Sequence, residues 1–182
     1  DEGATRGRGR RFPVLYDLVG FTGSGIAHTN WKPFGDNVPE RAARLIHDRK
    51  MGPAIFVFPD CFTALGGNQY VNSPAIGAYA DYLTREIVPF VDREFRTLGA
   101  REHRGCFGKS SGGYGAMLHG MKYARHWGAI ADHSGDAYFD VVYRQAQQKL
   151  SVSLDSMFST ISAADVARAG AALHSASKIY II

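Results

Sequence analysis

A chain of 182 residues, 45% of them apolar, is long enough for one domain with a sizeable core and too short for two ordinary ones. Its formal net charge of +4 gathers at the start, in Arg6, Arg8, Arg10 and Arg11, and does not form the basic stripe with interleaved aromatics that nucleic-acid binding needs. No stretch reaches the roughly 18 apolar residues of a membrane span, and Cys61 and Cys106 are too few for a disulfide framework and lack metal-ligand spacing.

In chain order, residues 1–11 include the Gly/Arg-rich run Gly3 to Arg10 and read as a flexible lead-in to one domain over 12–182. The lead-in carries no apolar stretch that would mark a leader, and a soluble protein is expected, with a cytoplasmic setting favoured. Two free thiols leave the redox compartment open.

Short, unbroken apolar runs follow at Phe12–Val19, Ala54–Phe58, Arg104–Phe107, Gly128–Ala131 and Lys178–Ile182, as expected of strands covered on both faces. Helical spacing occupies the stretches between them: Val38–Lys50, Ile76–Phe95, Gly112–Tyr123, and Asp140–Leu150 with Ala163–Leu173. In the longest, Tyr79, Tyr82, Leu83, Ile87, Phe90 and Val91 recur at three- and four-residue intervals, and Pro89 predicts a kink or break. Strands alternating with helices of this length predict an α/β fold built on a parallel sheet of about five strands, with helices on both faces. The expected spatial order, each strand named by its first residue, is Ala54, Phe12, Arg104, Gly128, Lys178.

Chemistry concentrates at the third strand. Arg104 to Tyr114 runs strand, tight turn, helix, with Gly108-Lys109-Ser110-Ser111-Gly112 at its centre. A nucleophilic serine needs its hydroxyl held clear of the sheet on a strained turn, and small flanking residues let strand and helix approach closely. Register selects Ser110, because centring on Ser111 would put Lys109 where the first glycine belongs. Glycines and serines also make ordinary turns, so it is the strand before and the helix after that give the pattern weight. The glycine-rich loop Val19-Gly20-Phe21-Thr22-Gly23-Ser24-Gly25 follows the first strand, where hydrolases of this fold donate an oxyanion N–H, and Phe21 is the candidate donor. A phosphate-cradling role fits less well, since no Lys-Ser/Thr pair follows the glycines.

Taken together, Pro13 to Gly23, Phe58-Pro-Asp-Cys61, Gly66 to Pro74, Ile87 to Asp92 and Gly108 to Gly115 resemble the putative esterase family of α/β-hydrolases. That family includes esterase D (S-formylglutathione hydrolase), enterochelin-esterase-like and feruloyl-esterase-like enzymes and the mycolyltransferase antigens. The resemblance covers most of residues 12–140. It implies a serine carboxylic-ester hydrolase with a small or aryl acyl ester as its partner, a Ser-His-acid triad, an acyl-enzyme, an oxyanion hole, and neither cofactor nor metal. By position it implies Ser110 as catalytic nucleophile and Phe21 and Ser111 as oxyanion donors. Val19 departs from the pattern, because many relatives carry histidine before the Gly-Phe pair.

In that family the acid and the histidine come later in the chain than the nucleophile. Lys178–Ile182 reads as the strand that should deliver the acid, so the chain is expected to be truncated at both ends and impaired as a catalyst. Substitutes are sought at carboxyl ends of strands. Asp132-His133-Ser134-Gly135-Asp136 is the nearest set, with His133 and Asp136 as triad candidates, although Asp136 reads more simply as a cap for the next helix. Asp60 is as well explained by a turn, His28 lies just past the glycine loop, His119 and His126 read as packing or surface residues, and His174 as a helix-end residue. A noncatalytic hydrolase-fold binding module and an acyltransferase remain as alternatives, and oligomeric state is left open.

Overall fold

The computed structural model describes residues 9–64, 66–137 and 139. The chain divides into two units, Asp1–Asp136 and Ala137–Ile182, and every element described below belongs to the first.

Four strands, β1 (Val14–Leu18), β2 (Ile55–Val57), β5 (Arg104–Lys109) and β6 (Ala129–His133), form a parallel sheet in the order β2-β1-β5-β6. This is the expected order for the first four strands, while the fifth candidate, Lys178–Ile182, lies outside the described residues. So do the helical candidates Asp140–Leu150 and Ala163–Leu173. The first strand is shorter than its apolar run. Phe12 makes a separate bridge to Thr97, its N–H donating to the Arg96 carbonyl at 2.9 Å, and Pro13 has no N–H to give a ladder.

Side chains alternate across a strand, so Val14, Tyr16 and Leu18 share one face of β1, and the register Tyr16 to Cys106 puts Cys106 on that face too. These residues are buried with Leu83, Val88, Val91, Ala116 and Trp127 in one core cluster. Burying a large apolar side chain contributes about 1.5–3 kcal/mol, so Leu18 and Leu83, fully shielded, are among its main supports. Burial pushes the Cys61 and Cys106 thiols up to about 12, and both are free. Arg104 enters the core edge at 7% exposure because it is paired: it donates to Asp92 Oδ2 at 2.5 Å and to the His126 carbonyl at 3.0 Å.

The helix α1 (Val38–His47) starts where Asn37 accepts from the Glu40 N–H and Glu40 accepts from the Asn37 N–H, both at 2.9 Å. Such a reciprocal cap holds the first turn by about 1 kcal/mol. The long predicted helix begins at Tyr79 rather than Ile76. Its first residues are taken by a small antiparallel pair, β3 (Asn72–Ser73) with β4 (Gly77–Ala78), in which Gly77 has φ of 116°. From Tyr79 the chain runs through α2 (Tyr79–Asp81), a π-helical segment Tyr82–Ile87 and α3 (Val88–Glu94). Pro89 therefore sits in the first turn of α3, just after the widened segment. That register change takes the place of the expected break, since a proline ring needs room at the carbonyl four residues back and has no N–H to offer it. The helix α4 (Ser111–Lys122) completes the part that positions the site.

Candidate active site

Ser110 occupies the single-residue turn between β5 and α4. Its backbone has φ of 57° and ψ of −124°, a region that costs a non-glycine residue of order 1–3 kcal/mol. The neighbours hold it there. The Ser110 N–H donates to the His133 carbonyl at 3.1 Å, and the Ser110 carbonyl accepts from Tyr114 at 3.0 Å and Asp136 at 3.3 Å. Room for the turn comes from glycines: a β-carbon on Gly108 would lie 2.4 Å from the Leu18 carbonyl oxygen and 2.5 Å from the Gly112 carbonyl carbon. Ser110 is half-buried and Ser111 fully buried.

Ser111 is the first residue of α4, so its N–H has no intrahelical carbonyl to bond and lies at the positive end of the helix dipole. The glycine loop abuts the elbow through Gly20, whose β-carbon position is 3.6 Å from Ser110 Cβ and 3.5 Å from the Lys109 carbonyl oxygen. Phe21 is the next residue. Its carbonyl accepts from the Gly67 N–H at 2.7 Å, which fixes the peptide plane, while the residue as a whole is 38% exposed. Tyr70 ties the start of the loop down by donating its hydroxyl to the Val19 carbonyl at 3.0 Å. Burial, with the bond to Val19 as a smaller opposing influence, raises the Tyr70 phenol far above its ordinary range, so it stays a donor.

The hydroxyl of Ser110 donates to Asp136 Oδ1 at 3.0 Å, and the Ser111 hydroxyl donates to Asp136 Oδ2. The simpler reading of Asp136 as a helix cap missed this arrangement. A carboxylate directly after a Ser-Gly pair carries no signal of it in the sequence, because it depends on how closely the loop crosses the elbow. His133 behaves otherwise. Its carbonyl meets the elbow, but its side chain is exposed and makes no hydrogen bond among the described residues.

The other candidates are engaged elsewhere. Asp60 Oδ1 accepts from the Gly25 N–H at 3.3 Å and the Phe62 N–H at 3.2 Å, a turn-forming role. His28 pairs through Nδ1 with Asp17 Oδ2 at 2.7 Å. His119 is buried between the Tyr70 carbonyl and the Trp127 indole, and burial holds its pKa below the ordinary histidine value. His126 lies on a 3-10 turn beside Arg125 and is lowered by partial burial first and by Arg125 second. His174 lies outside the described residues.

A cleft of about 430 Å³ opens at the carboxyl end of β2, lined by Asp60, Ile76, Gly77, Ala78, Tyr79, Tyr82 and Glu86. Ser110, Ser111 and Phe21 are not among its lining residues. No group of histidine, cysteine and carboxylate residues among those described is arranged to hold a metal ion, and no described helix is long and apolar enough to cross a membrane.

The profile of the family described as Putative esterase matches residues 6–177, nearly the whole chain. The chain belongs to that family. Two proteins of Mycobacterium tuberculosis, Esterase MT1326 and Esterase Rv1288, are each 30% identical over 139 residues, which is 72% of this chain and 27% of theirs. Among solved structures, a ferulic acid esterase is 26% identical with a TM-score of 0.59, covering 69% of this chain and 47% of that one. The Staphylococcus aureus fluorophosphonate-binding serine hydrolase FphF is 15% identical with a TM-score of 0.59, covering 78% and 49%. The chain thus spans about a quarter of the curated relatives and about half of these two structures. The likeness places the parallel sheet in the α/β-hydrolase esterase fold.

Proposed function

We propose that this chain carries the nucleophile and oxyanion-binding part of a serine carboxylic-ester hydrolase, acting through an acyl-enzyme on a small or aryl acyl ester. The observation that carries the reading is the backbone of Ser110, held at φ of 57° between a central parallel strand and a helix. Strain of this kind persists only where the surrounding structure imposes it, and it lifts a side chain clear of the sheet. Ser110 Oγ attacks the acyl carbon, and the N–H groups of Ser111 and Phe21 receive the charge that develops on the carbonyl oxygen. The aryl preference rests on the likeness to the ferulic acid esterase at 26% identity.

The reading is tested with a fluorophosphonate probe on the wild-type protein and Ser110→Ala. Covalent labelling of wild type at Ser110, lost in the variant, is the expected result. Absence of labelling in a folded wild-type protein would leave a noncatalytic hydrolase-fold module as the better account. Whether water or another alcohol resolves the acyl-enzyme is read by following p-nitrophenyl acetate with and without an added alcohol acceptor.

A further inference from the structure

We propose that Tyr70 is a positioning residue for the chemistry at Ser110: by holding the Val19 carbonyl it aims the glycine loop at the carbonyl oxygen of the substrate. The assignment rests on the serine-esterase reading above and concerns the oxyanion, not the proton of Ser110.

The backbone of Tyr70 singles it out. Its φ is 59°, and that of Gln69 before it is 52°. The left-handed region costs an ordinary residue about 1–2 kcal/mol, and a bulky side chain is seldom found there. Strain of this kind persists only where neighbouring groups impose it. Here the Tyr70 N–H donates to Asn68 Oδ1 at 2.8 Å, and Asn68 Nδ2 donates in turn to the Cys61 carbonyl at 2.6 Å. On the other side His119 Nε2 donates to the Tyr70 carbonyl at 2.9 Å. Asn68 and His119 are both fully buried, so two buried polar side chains serve to keep one tyrosine in a costly conformation.

That conformation sets the ring between the two halves of the site. One edge lies against the elbow helix α4, where a β-carbon on Gly115 would stand 2.7 Å from Tyr70 Cδ2. From there the hydroxyl reaches the Val19 carbonyl at 3.0 Å. The same carbonyl oxygen is 2.8 Å from the β-carbon position of Gly112, in the first turn of α4, and the next residue, Gly20, is the one that abuts Ser110.

A trans peptide points its C=O and its N–H in opposite directions, so a carbonyl that is held aims the N–H of the following residue. Three consecutive carbonyls of the loop are held: Val19 by the Tyr70 hydroxyl at 3.0 Å, Gly20 by the Gly23 N–H at 3.0 Å and Phe21 by the Gly67 N–H at 2.7 Å. The bond from Gly23 lies inside the loop and moves with it, whereas Tyr70 and Gly67 tie the loop to the rest of the domain. Tyr70 acts at the residue before Gly20, whose glycine backbone would otherwise let the Gly20–Phe21 peptide swing. Of the three donors it alone is a side chain, so its bond can be removed without altering a backbone.

The experiment follows fluorophosphonate labelling of Ser110 in the full 182-residue chain against probe concentration, which separates binding from the covalent step. Tyr70→Phe keeps the ring on Gly115 and loses the bond to Val19. Its limiting rate is expected to fall at least about 10-fold, a part of the 10²–10³ that complete loss of an oxyanion donor costs, with the half-saturating concentration unchanged. Thr97→Val is the control. It removes another buried hydroxyl, which donates to Asp92 Oδ1 at 2.8 Å beside the Phe12–Thr97 bridge, so it loses stability as well but is expected to label at the wild-type rate. Where Tyr70→Phe does not fold, Gly115→Ala takes its place, because the added methyl group presses the ring away from α4 and should lower the limiting rate in the same way. A limiting rate within about twofold of wild type, a change confined to the half-saturating concentration, or equal falls in Tyr70→Phe and Thr97→Val overturns the assignment. Those outcomes leave Ser110 as nucleophile intact, whereas a wild-type protein that does not label removes the serine-esterase reading and this one with it.

Discussion

Gly112 lies against Leu18 so closely that a β-carbon built on Gly112 would stand 1.8 Å from the Leu18 carbonyl oxygen. No rotation of a side chain relieves such a clash, because both partners are backbone. The first turn of α4 therefore rests directly on the end of β1, and this contact sets how far Ser110 stands above the sheet.

Gly112→Ala is accordingly expected to cost at least about 3 kcal/mol, at the upper end of overpacking penalties. For a chain of this size that lowers the melting temperature by about 6 to 12 °C. Gly35→Ala is the matched control, since a β-carbon there meets nothing within 4 Å, and its melting temperature should stay at the wild-type value. Equal melting curves for Gly112→Ala and wild type would contradict the close packing of strand and helix.

The pair Asp17 and His28 supplies a second test. Asp17 is 1% exposed, its Oδ2 meets His28 Nδ1 at 2.7 Å, and its Oδ1 has no hydrogen-bond partner among the described residues. Removing the imidazole leaves a buried carboxylate with no partner, which costs about 3–5 kcal/mol for fully buried pairs and the lower figure here, as His28 is partly exposed. His28→Ala should therefore lose about 3 kcal/mol in urea unfolding, and Asp17→Asn combined with it should lose less than the sum of the two changes. Strict additivity would mean that the two side chains do not support one another.

Much of this architecture was legible in the sequence because it follows from local pattern. The runs around Leu15, Phe56, Cys106 and Ile130 are short, apolar and separated by helical spacing, so a parallel sheet in the order β2-β1-β5-β6 follows, and the glycines around Ser110 mark the turn. What escaped the pattern depends on contacts between distant segments. Asp136 carries the same local signal whether it caps a helix or accepts from Ser110, 26 residues away. The hold of Tyr70 on Val19 spans 51 residues, and nothing around Tyr70 announces it. Ile76 and Gly77 fit a helical spacing, yet a positive φ at Gly77 and its pairing with Ser73 take them into a hairpin.

His119 predicts a pH dependence of stability. Tyr70 offers its carbonyl and Trp127 its N–H, so Nε2 must carry the hydrogen and Nδ1 must accept, which is the neutral ring. Burial lowers its pKa in the folded protein, while the unfolded chain keeps the ordinary value of about 6.5. Below that value the unfolded state binds a proton that the folded state refuses, so stability falls as pH drops from about 6.5 toward the folded pKa and is unaffected above it. His119→Phe should be less stable at neutral pH by about 1–3 kcal/mol, because the Tyr70 carbonyl and the Trp127 N–H lose their partner. It should also lose part of the decline below pH 6.5. His126, lowered in the same direction, is present in both proteins, so the difference between their melting curves isolates His119. Parallel declines for the two proteins would show that His119 is protonated in the folded state.

Gly67 tests the proposed oxyanion role of the glycine loop from behind. Its N–H donates to the Phe21 carbonyl at 2.7 Å, and a β-carbon on Gly67 would lie 2.8 Å from Phe21 Cα and 3.1 Å from that carbonyl oxygen. Gly67→Ala must push the Phe21 backbone away or break the hydrogen bond, and either change re-aims the Phe21 N–H without touching Ser110. Loss of one oxyanion donor costs about 10²–10³ in kcat in the best-studied serine hydrolases. The change acts on the transition state, so with p-nitrophenyl acetate kcat and kcat/KM should fall together while KM holds. Gly66 provides the contrast. Its own β-carbon would meet the Phe21 ring at 2.7 Å, and with φ of 97° its replacement by alanine strains the local backbone while pressing first on a side chain that can turn away. Gly66→Ala should thus lose stability with a smaller loss of kcat than Gly67→Ala. If Gly67→Ala folds and retains wild-type kcat, the proposal that Phe21 donates to the oxyanion fails.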